Sequence, residues 1–205
     1  MNKDVKVMLK EAGILFAITL IAGLFLGVVN ELTKDRIAEQ KAQAIADACK
    51  MVFNDADSFP EYAYTPDEEL TFRISETGVQ IGKVYEAKGS AGETLGYVIE
   101  SASKEGYGGT IDIYVGIRND GIINAVSILE ISETVGLGMR AEEVLVPQFA
   151  GKGSADFTYT KSGAASPSEI DAIAGATITT RAFVNAVNGA VLTAEALTEG
   201  GVSNE

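Results

Sequence analysis

The apolar run from residue 12 to residue 29 constrains the chain more than any other feature of its sequence. It reads AGILFAITLIAGLFLGVV and holds no charged residue over eighteen positions. As a helix with a rise of about 1.5 Å per residue, the run spans roughly 27 Å, which is close to the hydrocarbon thickness of a bilayer. It therefore predicts a transmembrane helix in contact with the lipid bilayer.

Two other interpretations of residues 12–29 are open at this point. A cleaved signal peptide has a shorter apolar core followed by a small-x-small cleavage site, and residues 30–36 (NELTKDR) offer no such site. A buried core helix of this length normally carries a polar stripe, and this run has none. The sequence therefore favours a retained anchor over both alternatives.

Charge suggests an orientation for the anchor. Three lysines precede the run and three basic residues follow it closely, so the positive-inside comparison is nearly tied. Residues 1–11 are slightly basic, whereas the whole chain has a net charge of −13. A short cytoplasmic tail (residues 1–11) with a large acidic domain on the other side is the simpler arrangement, because long domains translocate despite their own charge.

Composition excludes many kinds of chemistry. The 29 acidic against 16 basic residues argue against a nucleic-acid partner, because phosphate binding needs clustered Lys and Arg. The chain has no histidine, which excludes a serine triad, a His-based zinc site and His ligation of haem. Its one cysteine, Cys49, excludes an internal disulfide and a self-contained iron–sulfur cluster. We expect no metal site, and any redox function needs a bound organic cofactor.

The pattern after the anchor predicts an α+β domain. Residues 30–53 have a helix-forming composition and one broad apolar face, which indicates a helical stalk with Cys49 as a small buried hydrophobe. Residues 54–198 form the predicted domain, in which a run of strands precedes a closing helix at about 178–198. The other predicted elements are a loop at 54–69, strands at 70–75, 82–88, 94–102, 110–118, 122–131 and 155–160, a hairpin turn at residues 119–121, a short helix at 140–151, a loop at 162–168 and a flexible tail at 199–205.

Three segments rich in glycine and threonine are candidates for a binding site. The first, residues 171–177 (DAIAGAT), precedes the closing helix, whose free N–H groups and positive dipole end suit an anion. The second, residues 133–138 (ETVGLG), is able to wrap a ring or a phosphate, and the third, residues 106–109 (GYGG), places an aromatic ring on a flexible turn. Each segment also has a plain structural interpretation: an N-cap at Thr177, a short turn and an ordinary loop.

Residues 171–177 resemble the flavin-attachment signature Asp-x-x-(Ser/Thr)-Gly-Ala-Thr of the covalently flavinylated subunits of Rnf complexes and Na⁺-pumping NADH:quinone reductases. The segments at 133–138 and 106–109 are similar to that family as well, and the resemblance covers nearly the whole chain. In length and in its Ala-Gly-Ala-Thr-Ile-Thr sequence, the chain resembles the G subunit of the Rnf (ion-translocating ferredoxin:NAD⁺ oxidoreductase) complex more than the C subunit of the quinone reductase.

The resemblance implies a cofactor and its attachment point. Thr177 would be joined through its side-chain oxygen to FMN by a phosphoester, which a separate flavin transferase installs. Two residues depart from the family pattern, since Ala174 stands where Ser or Thr is commonest and Val135 replaces the usual Pro. The cofactor-binding residues that the resemblance implies are Thr177, Asp171, Gly175, Ala176, Thr134, Gly136, Leu137 and Tyr107.

The resemblance implies electron transfer as the function. The chain would be a single-span subunit of the prokaryotic cytoplasmic membrane, with its main domain on the extracytoplasmic side, and would relay electrons among the other subunits without being catalytic alone. A flavin accepts electrons through its own ring, which suits a chain without histidine. Two alternatives are open: an assembly or scaffold subunit without flavin, in which Gly23 and Gly27 form a helix-packing face, and the equivalent flavin subunit of a quinone reductase.

Overall fold

The computed structural model describes residues 3–153 and 156–200 and divides into two compact units. The first unit ends at Ala44 and contains most of helix α1, which runs from Lys3 to Val52. By length and composition this helix is able to cross a membrane, and none of its most apolar window is buried within the chain. The interpretation of residues 12–29 as a buried core helix is therefore wrong.

The second unit, from Ile45 onward, is built on a five-stranded antiparallel sheet. Each strand pairs with the next one in sequence, so the sheet is a meander. The Gly121 N–H donates a 2.9 Å hydrogen bond to the Arg118 carbonyl between the last two strands, which confirms the predicted hairpin. The strands are β1 (Glu61–Tyr62), β2 (Val79–Lys88), β3 (Thr94–Ser103), β4 (Ile111–Arg118) and β5 (Ile123–Ile131).

Helices cover both faces of this sheet. The odd-numbered apolar residues of β4 (111–117) lie in one core with the closing helix α4 (Thr177–Gly200). Tyr114, an even-numbered residue of the same strand, lies in a second core with Ala48 and Val52 from the end of α1. Successive strand residues point to opposite faces, so β4 is buried on both. The arrangement confirms the α+β class, with an apolar N-terminal helix, a strand-rich domain and a closing helix.

Phe53 fixes the end of α1 on the sheet. Its side chain is 1% exposed, and its ring occupies space that side chains at two strand positions would need. A Cβ at Gly96 would lie 2.8 Å from Phe53 Cζ, and a Cβ at Gly116 would lie 3.1 Å from Phe53 Cδ2. The Asn124 side chain donates a 2.5 Å hydrogen bond to the Val52 carbonyl, which holds the last turn of α1 in place.

Cys49 is buried in the same core, as expected for a small hydrophobe. Burial, with a smaller contribution from the charge of Glu100, raises the pKa of its thiol to about 12. Because the thiolate is the reactive form of cysteine, this side chain is inert at neutral pH.

The strand predicted at 70–75 is wrong, because those residues lie in helix α2 (Glu68–Ser75). Leu70 and Ile74, four residues apart, are its buried residues, so the apparent alternation is one stripe of a helix. Asp67 caps the helix by accepting a 2.7 Å hydrogen bond from the Leu70 N–H. An aspartate directly before two glutamates is a helix-start signal that the period-two pattern concealed.

The helix predicted at 140–151 is shorter than expected. Helix α3 covers only Ala141–Val144 and is flanked by 3₁₀ turns at Gly138–Arg140 and Val146–Gln148. Pro147 in the second turn has no N–H to donate, so an α-helix does not continue through it.

The remaining differences lie near the C-terminus. The strand predicted at 155–160 is observed as β6 (Thr158–Thr160), and residue 155 lies outside the described residues. Strand β6 pairs in parallel with β7 (Glu169–Asp171), which the sequence pattern did not indicate. Helix α4 extends through Gly200, so residues 199–200 of the predicted tail are helical, and residues 201–205 lie outside the described residues.

Replacing Phe53 with alanine should destabilise the second unit by about 3–5 kcal/mol, because a fully buried aromatic side chain leaves a cavity. The measurement is the free energy of unfolding of the full chain in detergent, from a urea titration. Phe72→Ala is the matched control, since Phe72 is 62% exposed, and should change the value by less than about 0.5 kcal/mol. Equal losses in both variants would contradict the packing described for Phe53.

The ionised carboxylate of Asp112 should lower the free energy of unfolding at neutral pH. Burial, with the charges of Glu100 and Glu130, raises the pKa of its carboxyl from 3.8 to about 6. Because the folded state binds this proton more tightly, stability is lost as pH rises through that window. Asp112→Asn should therefore raise the urea unfolding midpoint at pH 7.5 and change it little at pH 4.

The matched control for Asp112 is Asp120, a carboxyl whose pKa is shifted in the opposite direction. A hydrogen bond from Arg118 lowers the pKa of the Asp120 carboxyl, so its ionised form favours the folded state. Asp120→Asn should not raise the unfolding midpoint at pH 7.5. A lower midpoint for Asp112→Asn at pH 7.5 would refute the destabilising role of its charge.

Candidate functional site

The three glycine- and threonine-rich segments meet around one cavity of about 320 Å³. The turn after β3 contributes Tyr107, and the loop after β5 contributes part of residues 133–138. The turn that precedes α4 and the first turn of that helix contribute the rest. Three segments that are far apart in sequence therefore form a single site. The lining residues are Tyr107, Glu133, Thr134, Leu137, Gly138, Gly175, Ala176, Thr177, Ile178 and Thr179.

A tight turn leads into α4 and forms one wall of the cavity. The Ala176 N–H donates a 3.0 Å hydrogen bond to the Ile173 carbonyl, which closes a four-residue turn. Gly175 occupies the third position with φ +80°, a conformation that favours glycine. A Cβ at Gly175 would also lie 3.2 Å from Leu137 Cδ2, so glycine lets the turn approach the neighbouring loop closely.

Thr177 is the first residue of α4 rather than its N-cap. The Ala176 carbonyl accepts the 3.0 Å hydrogen bond from the Thr180 N–H, which places Ala176 at the N-cap position. The interpretation of Thr177 as an N-cap is therefore wrong. Among the described residues, the Thr177 hydroxyl has no hydrogen-bond partner, and it lines the cavity together with the first turn of the helix.

Thr180 holds the turn and the helix start together. Its buried hydroxyl accepts a 3.1 Å hydrogen bond from the Ile173 N–H and donates one of 2.9 Å to the Ala176 carbonyl. One side chain thus joins the two ends of the turn and fixes where the helix begins. The backbone N–H groups of residues 177–179 precede the first helical hydrogen bond, so they remain available to an anion.

The loop after β5 forms a second part of the cavity wall. Its shape depends on the Thr134 carbonyl, which accepts hydrogen bonds from the N–H groups of Leu137 (3.1 Å) and Met139 (3.2 Å). Gly138 is buried against the start of α4, since a Cβ there would lie 2.7 Å from the Thr179 hydroxyl oxygen. The absence of a side chain at residue 138 therefore allows the loop and the helix to touch.

The turn at residues 106–109 lies over the same loop. The Gly108 N–H donates a 3.3 Å hydrogen bond to Glu133 Oε1. A Cβ at Gly108 would collide with the Ser132 carbonyl oxygen, so this close approach requires glycine. The neighbouring Tyr107 lines the cavity while its side chain remains 70% exposed.

Six of the eight residues expected from sequence line the cavity, and two do not. Gly136 lies in the loop with φ +79° but is not part of the lining. The Asp171 carboxylate instead accepts a 2.7 Å hydrogen bond from the Ala164 N–H, so it organises the loop before β7. The six that line the cavity are Tyr107, Thr134, Leu137, Gly175, Ala176 and Thr177.

Four further lining residues are not among the eight that the resemblance implies: Glu133, Gly138, Ile178 and Thr179. Ile178 and Thr179 follow Thr177 in the first turn of α4, so the helix prediction contained the signal for them. Glu133 and Gly138 are the two ends of the candidate segment 133–138. Across residues 3–153 and 156–200, no group of three or more Cys, Asp or Glu side chains is arranged to hold a metal ion.

Comparison with known proteins assigns the family. Residues 106–192, which contain all three segments, match the FMN-binding domain, and residues 1–52 match the RnfG N-terminal region. The G subunit of the Na⁺-translocating ferredoxin:NAD⁺ oxidoreductase complex of Acetobacterium woodii is 33% identical over 188 residues, which cover 90% of this chain and 90% of that protein. The chain belongs to the RnfG family.

Other RnfG relatives give the same assignment. The G subunit of the proton-translocating ferredoxin:NAD⁺ oxidoreductase complex of Clostridium ljungdahlii is 30% identical, covering 89% of this chain and 92% of that protein. The G subunit of the ion-translocating oxidoreductase complex of Shewanella baltica is 31% identical, covering 90% and 88%. A solved structure, NqrC of Shewanella oneidensis, is similar with a TM-score of 0.47 and 19% identity, covering 72% of this chain and 70% of that one.

Removing the Thr180 hydroxyl should loosen the start of α4. In Thr180→Val the buried Ile173 N–H loses its acceptor, which should lower the free energy of unfolding by about 1–3 kcal/mol. Urea titration of the full chain in detergent measures the loss. Thr180→Ser keeps the hydroxyl and should recover most of the stability, and a serine variant as unstable as the valine variant would contradict the role of these hydrogen bonds.

Proposed function

We propose that this chain is the FMN-carrying subunit of a membrane-bound, ion-translocating ferredoxin:NAD⁺ oxidoreductase complex, and that it relays electrons between other subunits. The FMN is joined by a phosphoester to Thr177. One observation carries the proposal: a threonine hydroxyl without a partner among the described residues lines the cavity in which the three segments meet.

The residues present suit an FMN phosphate at Thr177. The cavity of about 320 Å³ lies within the range of roughly 300–1,000 Å³ typical of small-molecule sites. The first turn of α4 offers unpaired backbone N–H groups and the positive end of the helix dipole, which together stabilise a phosphate. A phosphoester on the Thr177 oxygen places that phosphate directly at this helix end. Thr134, in the loop after β5, adds a hydroxyl to the same cavity.

Exposed apolar side chains suit the isoalloxazine ring. Tyr107, Leu137 and Ile178 line the cavity with 70%, 41% and 44% of their surfaces exposed. A flat aromatic ring covers apolar surface of this kind favourably, and Tyr107 is able to stack on it. The flavin supplies one- and two-electron chemistry, and the chain's residues bind it, orient it and shield one side of it from water.

Helix α1 anchors the chain in the membrane. Its apolar stretch at residues 12–29 suits a single span, and the match to the RnfG N-terminal region covers this stretch, which supports an anchor retained in the mature protein. We place the chain in a prokaryotic cytoplasmic membrane, with residues 1–11 inside and the acidic flavin domain on the extracytoplasmic side. A separate flavin transferase attaches the FMN there, and the other subunits of the complex are the electron donor and acceptor.

Thr177→Ala should abolish covalent flavin. The full-length chain is produced together with a flavin transferase, and its denatured band is viewed under ultraviolet light, where covalently bound flavin fluoresces. Without the Thr177 oxygen no phosphoester forms, so the band should be dark and the intact mass should lack the added FMN. Thr177→Ser keeps an oxygen at the same position and should retain fluorescence.

Thr158→Ala is the matched control, because Thr158 is an exposed threonine of β6 outside the cavity lining and should leave the covalent flavin in place. A fluorescent band in Thr177→Ala would show that the flavin is attached to another residue. A wild-type chain that stays dark despite the transferase would instead support the alternative of a scaffold subunit without flavin.

A further inference from the structure

The Glu133 carboxylate is buried in the cavity with one oxygen that lacks a partner. The residue is 8% exposed and lines the cavity. Its Oε2 is shielded from solvent and, within the described part of the chain, accepts no hydrogen bond. Burying a carboxylate oxygen in this state is costly, because its hydration is lost without replacement. Because Glu133 lines the cavity, a ligand bound there is able to supply the missing donor.

The surroundings hold the Glu133 side chain in this position. The Gly108 N–H donates to its other oxygen, Oε1, at 3.3 Å. On the opposite side, a Cβ at Gly138 would lie 2.7 Å from Glu133 Cβ and 2.8 Å from Oε2, so the backbone of the loop packs directly against the carboxylate. The two oxygens therefore differ: Oε1 accepts the Gly108 N–H of the 106–109 turn, and Oε2 has no partner among the described residues.

We infer that Glu133 is a flavin-contacting residue whose Oε2 accepts a hydrogen bond from an O–H or N–H group of the bound nucleotide. The inference rests on the proposed function. FMN offers such donors in the hydroxyls of its ribityl chain and in the imide N–H of its ring. The contact also has an electrostatic consequence: a buried carboxylate beside the flavin opposes the negative charge that reduction brings to the ring, so it holds the midpoint potential down.

Glu133→Gln separates this role from support of the turn. The amide oxygen of glutamine is able to accept the Gly108 N–H as Oε1 does, so the turn is preserved. The amide nitrogen then replaces Oε2 with a donor and removes the negative charge. A purely structural role for Glu133 would not affect the redox properties of the flavin, so the midpoint potential is the decisive measurement.

The experiment uses the full-length chain, flavinylated by the transferase and purified in detergent. A reductive titration gives the midpoint potential, and visible circular dichroism reports how the flavin is held. Glu133→Gln should carry covalent flavin, titrate at a higher potential than the wild type and show weaker flavin dichroism. Glu142→Gln is the matched control, because Glu142 is an exposed glutamate of α3 and should leave the potential unchanged.

Glu133→Asp covers the case in which the glutamine variant does not fold. Aspartate keeps the charge but withdraws it by one methylene, so the potential should rise less and the dichroism should still weaken. A flavinylated Glu133 variant with the wild-type potential and dichroism would refute the proposed contact. It would not affect the proposed attachment at Thr177. A wild-type chain without flavin would overturn both.

Discussion

The position of the candidate site depends on the burial of α4 against the sheet. Apolar contacts alone would allow a long helix to shift along the face of the sheet. Here a buried hydrogen bond fixes the position of α4. The buried Ser101 hydroxyl of β3 donates a 2.7 Å hydrogen bond to the Ala186 carbonyl in the middle of α4. Such a bond, shielded from water, is costly to break because both groups would remain buried. Once the middle of the helix is fixed, its rigid first turn carries Thr177 to one defined place.

The segments that form the cavity pack closely together at three glycines, where no side chain separates them. Gly108 touches the Ser132 carbonyl, Gly138 touches the start of α4, and Gly175 faces Leu137. At each of these places a Cβ would press against a neighbouring segment, so the three segments would separate and the cavity would open. The same glycines that make these segments look like ordinary flexible loops in the sequence therefore hold the site together.

Sequence patterns identified the long helices and strands and most of the site. They failed where the same residue pattern fits both a strand and a helix. The strands β2 to β5 and helix α4 have long apolar periodicities that few other structures produce. In α2, by contrast, Leu70 and Ile74 satisfy a strand and a helix equally well, and only the cap at Asp67 distinguishes them. Asp171 was assigned to the site by its place in a signature, but backbone direction turns its carboxylate into the preceding loop. The burial of Glu133 depends on contacts with residues distant in sequence, which no local pattern contains.

Two opposite electrostatic influences act on the proposed flavin. The chain carries a net charge of −13, and Glu133 adds a buried carboxylate to the cavity itself, so reversible binding of an anionic nucleotide would be weakened. The helix end at Thr177 offsets part of this cost only near the phosphate. A covalent phosphoester removes the need for favourable equilibrium binding, because the flavin stays in place regardless of its affinity. The proposed tether would therefore allow the cavity to keep a carboxylate that opposes binding, and that carboxylate would then be free to set the potential of the ring.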